Sequence, residues 1–439
     1  MTILSKRAPE NSLSRDEVRQ LVADAASRLS IKGKRVLIII PDGTRTMPMP
    51  LMFEILQAEI GGQAAACDYL VALGTHPPMN EAQLSMLLGH PVANGMCENA
   101  HVFNHRWDIP STFTEIGAIS AADVTRISGG VLSESIRIQI NRLLLDYDQV
   151  LICGPVFPHE VVGFSGGNKY LFPGVSTGEM IHQTHWLGAL LGSYNIIGTG
   201  TTPVRALIDL AASKLLVPVA CFALVLKGTN IAGIYFGTAR DAWKLAAEHS
   251  TETHIQWVDR PFRRVLAVIP EMYTDLWTGA KGMYNSDPAI ADGGEVILYA
   301  PHISEASYSH GDFLDKVGYH CAEYFLKQPK RFADVPRGVL AHSIHLYGQG
   351  TYDAASGVEK PRIKVTLATA IPEKRCRDLN LGYLDYKTIN LDDWKNRESE
   401  GIKLIPHAGE ILYRLKNSSQ ANQDVSSSTA HVPALTSSG

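Results

Sequence analysis

Ser14 and Glu17 stand at the spacing of a helix-capping box, and the apolar residues that follow, Val18, Leu21, Val22 and Ala25, repeat with helical period, which predicts an amphipathic helix over 15–29. RVLIII (35–40) carries a different pattern. It is a short β-branched run without alternation that stops at Pro41, as expected of a strand covered on both faces. CDYLVAL (67–73), the segment 100–103 and QVLICG (149–154) repeat it, with helical spacing near 51–60 and 80–89 between the first three. Strands alternating with helices imply a parallel α/β sheet. A helix over 203–214, strands over 217–225 and 231–236 and a helix over 239–249 extend this unit. The polar stretch 252–261 reads as a linker, after which the pattern restarts with RVLAVI (264–269), a helix near 273–285 and EVILYA (295–300). Two α/β domains with mostly parallel sheets are expected, over 1–255 and 256–416. The segment 417–439, rich in Ser, Thr, Asn and Gln, has too few large apolar residues to offset ordering entropy and is expected to be a disordered tail.

Composition narrows the classes of function. With 439 residues, 45% hydrophobic and 19% charged, the chain can bury a large core, and its formal charge of −4 offers no bulk attraction to nucleic acid or anionic lipid. The longest apolar run, Leu215 to Leu226, is interrupted by Pro218 and is too short to span a bilayer. No secretory or transit signal is legible at the N-terminus, so a cytoplasmic location is expected, with neither nucleic acid nor membrane as a partner. The six cysteines lie far apart without a CxxC pair, which suggests neither a disulfide framework nor a thiolate metal site.

In open α/β sheets, ligands bind beyond the carboxyl ends of the strands, so the residues following each run carry the interest. PDGTRTMP after the first strand supplies Asp42, Thr44 and Arg45, and GTHPP after the second supplies Thr75 and His76. NHRWD after the third supplies His105, and PHEVVGFSGGNKYLFPG (158–174) after the fourth supplies His159 and Lys169. Singly, each has an ordinary explanation as a turn or a hydrogen-bonded loop histidine. Four such loops on one rim favour a site. The glycine pair Gly166 and Gly167 lets the backbone approach a ligand closely just before Lys169. It is not a Walker A loop, because Asn168 and Tyr170 occupy the positions where that motif needs Gly and Ser or Thr. A GxGxxG fingerprint with a distal acid is also missing. GEMIHQTHW places His182 and His185 on one helical face, as either an exposed helix or a metal ligand. Lys281, flanked by Trp277, Gly279, Ala280 and Gly282, reads as a carboxylate-binding cation. AHSIHLYGQGTYD adds His342, His345 and Tyr347 as candidate ligand-lining residues.

Together these motifs resemble the nickel-dependent lactate racemase family, hydroxyacid racemases and epimerases that use a nickel-pincer nucleotide. The resemblance covers most of residues 35–350 and is most specific in PHxxxGFSGGxK. It implies that Lys169 carries the pincer nucleotide covalently, with Asp42, Thr44, Ser165, Gly166 and Gly167 around it, and that His185 ligates nickel. It further implies His105 and His159 as the catalytic histidines, and Arg45, Lys281, Trp107 and Thr278 as contacts to a 2-hydroxy acid. Asn168 and Thr278 stand where the family often has Arg and Gln. The implied activity is that of an isomerase inverting the 2-carbon by hydride transfer, with cofactor-biosynthesis proteins as partners. Arg45 and Lys281 would clamp a carboxylate from the two domains, so the cleft between them is the expected active site. Arg106, Trp107, Trp186, His342, His345 and Tyr347 suggest an acid larger and more hydroxylated than lactate, such as an aldonate. The competing readings are a cofactor-free metal hydrolase using His182 and His185, and a non-catalytic hydroxy-acid-binding protein.

Overall fold

The computed structural model describes residues 2–10 and 12–416, so the tail 417–439 lies outside the described residues. The capping box forms as expected: the Ser14 hydroxyl accepts from the Glu17 amide and Glu17 reaches back to the Ser14 amide, starting the helix Arg15–Leu29. The first sheet has nine strands, in the order Leu4–Arg7, Asn230–Gly237, Val219–Lys227, Gln149–Pro155, Arg35–Ile40, Ala66–Val71, Ala100–Asn104, Met96–Cys97, Val92–Ala93. Its middle five strands, from Val219–Lys227 to Ala100–Asn104, run parallel. Val36, Ile38 and Ile40 enter one buried apolar cluster while Leu37 and Ile39 enter the other, which is why the run shows no polar alternation. After Arg35–Ile40 the chain adds strands on one side, then returns to add Gln149–Pro155 on the other. Chain direction therefore switches between these two strands, and at such a point the diverging loops leave a crevice beyond the strand ends.

The second domain is built on five parallel strands in the order Gly382–Tyr383, Lys364–Thr369, Ile290–Ala300, Phe262–Val268, Ile402–Ile405. Helix Gly178–Leu191 of the first domain packs against helix Arg337–Tyr347 of the second. Arg337 also pairs with Glu134 across the junction at 2.7 Å.

Two sequence expectations need revision, and one element is additional to them. The stretch 252–261 is not a linker: it ends the helix Ala239–His254 and forms the strand Ile255–Val258, paired with Leu412–Leu415. The helix near 273–285 is two short turns, Leu276–Gly279 and Lys281–Tyr284, the first started by the Asp275 side chain. A side chain at Gly282 would stand 2.4 Å from Ile269, so close packing onto the sheet shapes this segment. The hairpin Phe113–Ile119 with Ile136–Asn141 was not anticipated. Among the described residues, all six cysteines are free and buried, and no helix is long and apolar enough to cross a membrane.

Candidate active site

Loops from the carboxyl ends of Arg35–Ile40, Ala66–Val71 and Gln149–Pro155 face the turns Leu276–Gly279 and Lys281–Tyr284 and the helix Arg337–Tyr347 across one cleft. It measures about 160 Å³, with Asp42, Arg45, His76, His159, Lys169, His185 and Lys281 in its wall. A wider vestibule of about 490 Å³ adjoins it, sharing Asp42, Arg45, His76, Trp277, Thr278 and His310 and adding Thr44.

Asp42 is buried, and one carboxylate oxygen accepts from the amide (3.1 Å) and hydroxyl (2.6 Å) of Thr44. The other oxygen lies 2.5 Å from Nδ1 of His76. Burial alone would raise the Asp42 carboxyl, but His76, with Arg45 and the Thr44 hydroxyl, more than offsets it and holds the group below the ordinary carboxylate range. The carboxylate thus fixes the imidazole through Nδ1, leaving Nε2 without a hydrogen-bond partner among the described residues, the arrangement of an oriented acid–base histidine. In sequence His76 stands at a strand end like His105, whereas the resemblance implies a catalytic role for His105.

The structure does not bring His105 to the cleft. Its ring is fully buried; Nε2 meets the Ser176 carbonyl at 3.0 Å, and Nδ1 meets the Asn141 amide of the unanticipated hairpin at 3.2 Å. Burial pushes its pKa down to about 4, and both ring nitrogens are satisfied in the neutral form. Strand order supplies the reason: Ala100–Asn104 lies one strand farther from the switch point than Ala66–Val71, which positions His76. Trp107 likewise stands behind the wall, donating its indole N–H to the His76 carbonyl at 2.9 Å. Arg106 pairs with Asp108, and neither Trp186 nor Tyr347 lines the cleft.

His159 is buried in the wall, with Nδ1 accepting from the Val161 amide at 3.1 Å and Glu160 3.3 Å away. Burial, then the positive charges of Lys169, Arg45 and Lys281, hold it well below the usual histidine range, so it is neutral. Burial also lowers both lysines to about 7, with Arg45 adding to the effect and Glu160 opposing it. The Lys281 ammonium lies 4.9 Å from the Tyr273 ring centroid. Among the described residues, the Arg45 guanidinium donates to the carbonyl and hydroxyl of Thr44 alone, and it lines the cleft. Thr278, also in the wall, spends its hydroxyl on Asp275 at 2.8 Å.

Lys169 stands in a short helical turn, Gly167–Tyr170, entered through Gly166 at φ 82° and Gly167 at φ 58°. Side chains there would come within 2.7 Å of Val156 and 2.8 Å of Trp243, so both glycines serve close packing as well as left-handed backbone. Gly166 and Ser165 reach the cleft, whereas Gly167 packs on Trp243 behind it. The Ser165 hydroxyl accepts from the Phe157 amide at 2.9 Å, tying the loop together. Asn168 bonds Asp209 at 2.9 Å and turns away from the cleft.

The two helical histidines differ in which nitrogen is free. Nδ1 of His185 lies 2.9 Å from the Ile181 carbonyl and must donate, which leaves the Nε2 lone pair available to a metal. Nδ1 of His182 accepts from the Gly338 amide at 3.2 Å, so its Nε2 carries the hydrogen and the neutral ring offers no lone pair there. A two-histidine zinc site is therefore poorly prepared. Among the described residues, no three His, Cys, Asp or Glu side chains converge to hold a metal ion. A metal on His185 would take its other donors from a non-protein group.

Residues 5–195 match the family model described as the lactate racemase N-terminal domain. The chain is 24% identical over 313 residues to a lactate racemase of Thermoanaerobacterium thermosaccharolyticum, an alignment covering 70% of this chain and 66% of that protein. It is 25% identical over 186 residues to a lactate racemase of Lactiplantibacillus plantarum, covering 42% of this chain and 40% of that protein. The chain thus spans just under two thirds, and two fifths, of the curated relatives it matches. Among solved structures, a Thermotoga maritima protein superimposes with a TM-score of 0.86 at 30% identity, over 94% of this chain and 100% of that one. The lactate racemase apoprotein from T. thermosaccharolyticum gives a TM-score of 0.69 at 18% identity, over 92% and 94%, a likeness of fold. Residues 5–195, which include the glycine–lysine loop at the topological switch point, thus match the lactate racemase N-terminal domain, and over 92% of its length the chain shares the fold of a lactate racemase apoprotein.

Proposed function

We propose that this protein is a racemase or epimerase that inverts the 2-carbon of a 2-hydroxy acid, using a nickel-pincer nucleotide held covalently on Lys169. The observation that carries the reading is one cleft shared by two histidines in different settings, His76 held by Asp42 and His159 kept neutral by burial, with the cations Arg45 and Lys281. The residues suit the cofactor: Lys169 has its pKa lowered to about 7, giving a reactive free amine at neutral pH, and His185 offers an Nε2 lone pair. When bound, the group supplies a reversible hydride acceptor, needed because the C–H beside a carboxylate is too weakly acidic for an imidazole base.

The chain's own residues do the rest. Arg45 and Lys281 hold the substrate carboxylate from the two domains, and the bound anion favours the charged form of Lys281. His76 takes the hydroxyl proton through Nε2, with Asp42 stabilising the imidazolium, and His159 serves the opposite hand. The reading accommodates an acid larger than lactate, such as an aldonate, and requires proteins that make the cofactor as partners. Inversion in D₂O tests it. Hydrogen should be retained at the inverted carbon without deuterium uptake, whereas substantial deuterium there would place the chemistry in an enolate route.

A further inference from the structure

We propose that His345, together with His342 one helical turn before it, recognises hydroxyl groups along the tail of the substrate, so that the cleft selects a polyhydroxylated 2-hydroxy acid over one with a plain alkyl tail. This rests on the reading of the cleft as a 2-hydroxy-acid site. His345 is 3% exposed and lines the cleft, yet neither of its ring nitrogens has a hydrogen-bond partner among the described residues. His76, His159, His182, His185 and His342 each have at least one, and His310, the remaining histidine of the cleft wall, is only partly buried and so reaches solvent. Buried polar atoms are nearly always paired, so two unpartnered atoms on one buried ring in the cleft wall point to a ligand that supplies the partners.

The chemistry of that ligand follows from the donors and acceptors left over. Burial pushes both His342 and His345 down to about 3, so both rings are neutral. His342 stacks on Trp277, centroids 4.0 Å apart and planes 6° from parallel, and its Nε2 donates to the Trp277 carbonyl at 3.1 Å. Its Nδ1, also without a partner, is left as an acceptor. His345, held edge-on to Tyr284 at 5.9 Å, presents one donor and one acceptor. A carboxylate needs donors alone, and Arg45 and Lys281 already provide them. Two acceptors and one donor on neutral rings match hydroxyl groups, each of which both gives and takes a hydrogen bond.

The test compares, by calorimetry on the cofactor-loaded protein, a six-carbon aldonate with 2-hydroxyhexanoate, which has the same length without the tail hydroxyls. Wild type should bind the aldonate at least about tenfold more tightly. His345→Phe should bring the ratio toward one, and His345→Gln, which keeps a donor and an acceptor, should restore much of it. Parity in the wild type overturns the proposal without any variant. An unchanged ratio in His345→Phe, or in His345→Leu if the former does not fold, also overturns it. Inversion is followed in the same samples. An aldonate preference that depends on His345 but comes without inversion upholds this assignment and removes the racemase reading; inversion of lactate with parity in binding does the reverse.

Discussion

Replacing His76 with asparagine should lower the rate of inversion by about a hundred- to ten-thousandfold, the range that a positioned acid–base group contributes. Asparagine can still bond Asp42, so the loop keeps its shape while the titratable nitrogen is lost. His105→Asn should behave in the opposite way. It breaks two contacts of a fully buried ring, to the Ser176 carbonyl and to Asn141, and should cost about 1–3 kcal/mol of stability with kcat nearly unchanged. Chiral analysis of product and a thermal melt on each variant separate the two roles. An inactive His105→Asn protein that melts like wild type would mean that His105, not His76, is the catalytic histidine.

The second large effect concerns the cleft lysines. Both are lowered to about 7, first by burial and then by Arg45. The sign is that of a cation disfavoured by its surroundings: each is mostly protonated and unreactive below pH 7 and mostly free amine above it. At pH 8 about nine tenths of each would be free amine, against well under one hundredth of a lysine with the ordinary value near 10.4, roughly a two-hundredfold difference. Pulse acylation across pH with peptide mass spectrometry should show half-maximal labelling of Lys169 and Lys281 near pH 7. Arg45→Leu should move that midpoint upward, because it removes a neighbouring positive charge. A midpoint near 10 for both lysines would show that neither amine is prepared for covalent attachment or for sensing a bound carboxylate.

How far the chain could be read in advance depended on whether a feature is local. Val36 to Ile40 and Val150 to Cys153 announce buried parallel strands because both faces of each are covered, and the helix Arg15–Leu29 carries its own capping box. The glycines before Lys169 were legible as a close approach, since left-handed backbone at Gly166 and Gly167 leaves a mark in sequence. The choice between His76 and His105 was not legible, because both follow strands and only the order of strands in the sheet decides which loop borders the crevice. His182 and His185 share a helix face in sequence. What separates them is the amide of Gly338, contributed by the other domain 156 residues away. The stretch 252–261 looked like a linker because it is polar, but it pairs with Leu412–Leu415, a partner far along the chain. His345 could be noticed beside glycines, yet its two unmet hydrogen bonds exist only once helix Arg337–Tyr347 is packed against the cleft.

Intact mass and metal content of protein produced together with cofactor-making proteins, alongside Lys169→Ala and His185→Ala, test the covalent nickel cofactor directly. Wild type should gain the mass of about one modified pyridine mononucleotide together with nickel. Lys169→Ala should lack both, and His185→Ala should keep the added mass while losing most of the nickel. An unmodified, nickel-free wild-type chain under those conditions, or an adduct that persists in Lys169→Ala, would contradict a covalent nickel cofactor on Lys169.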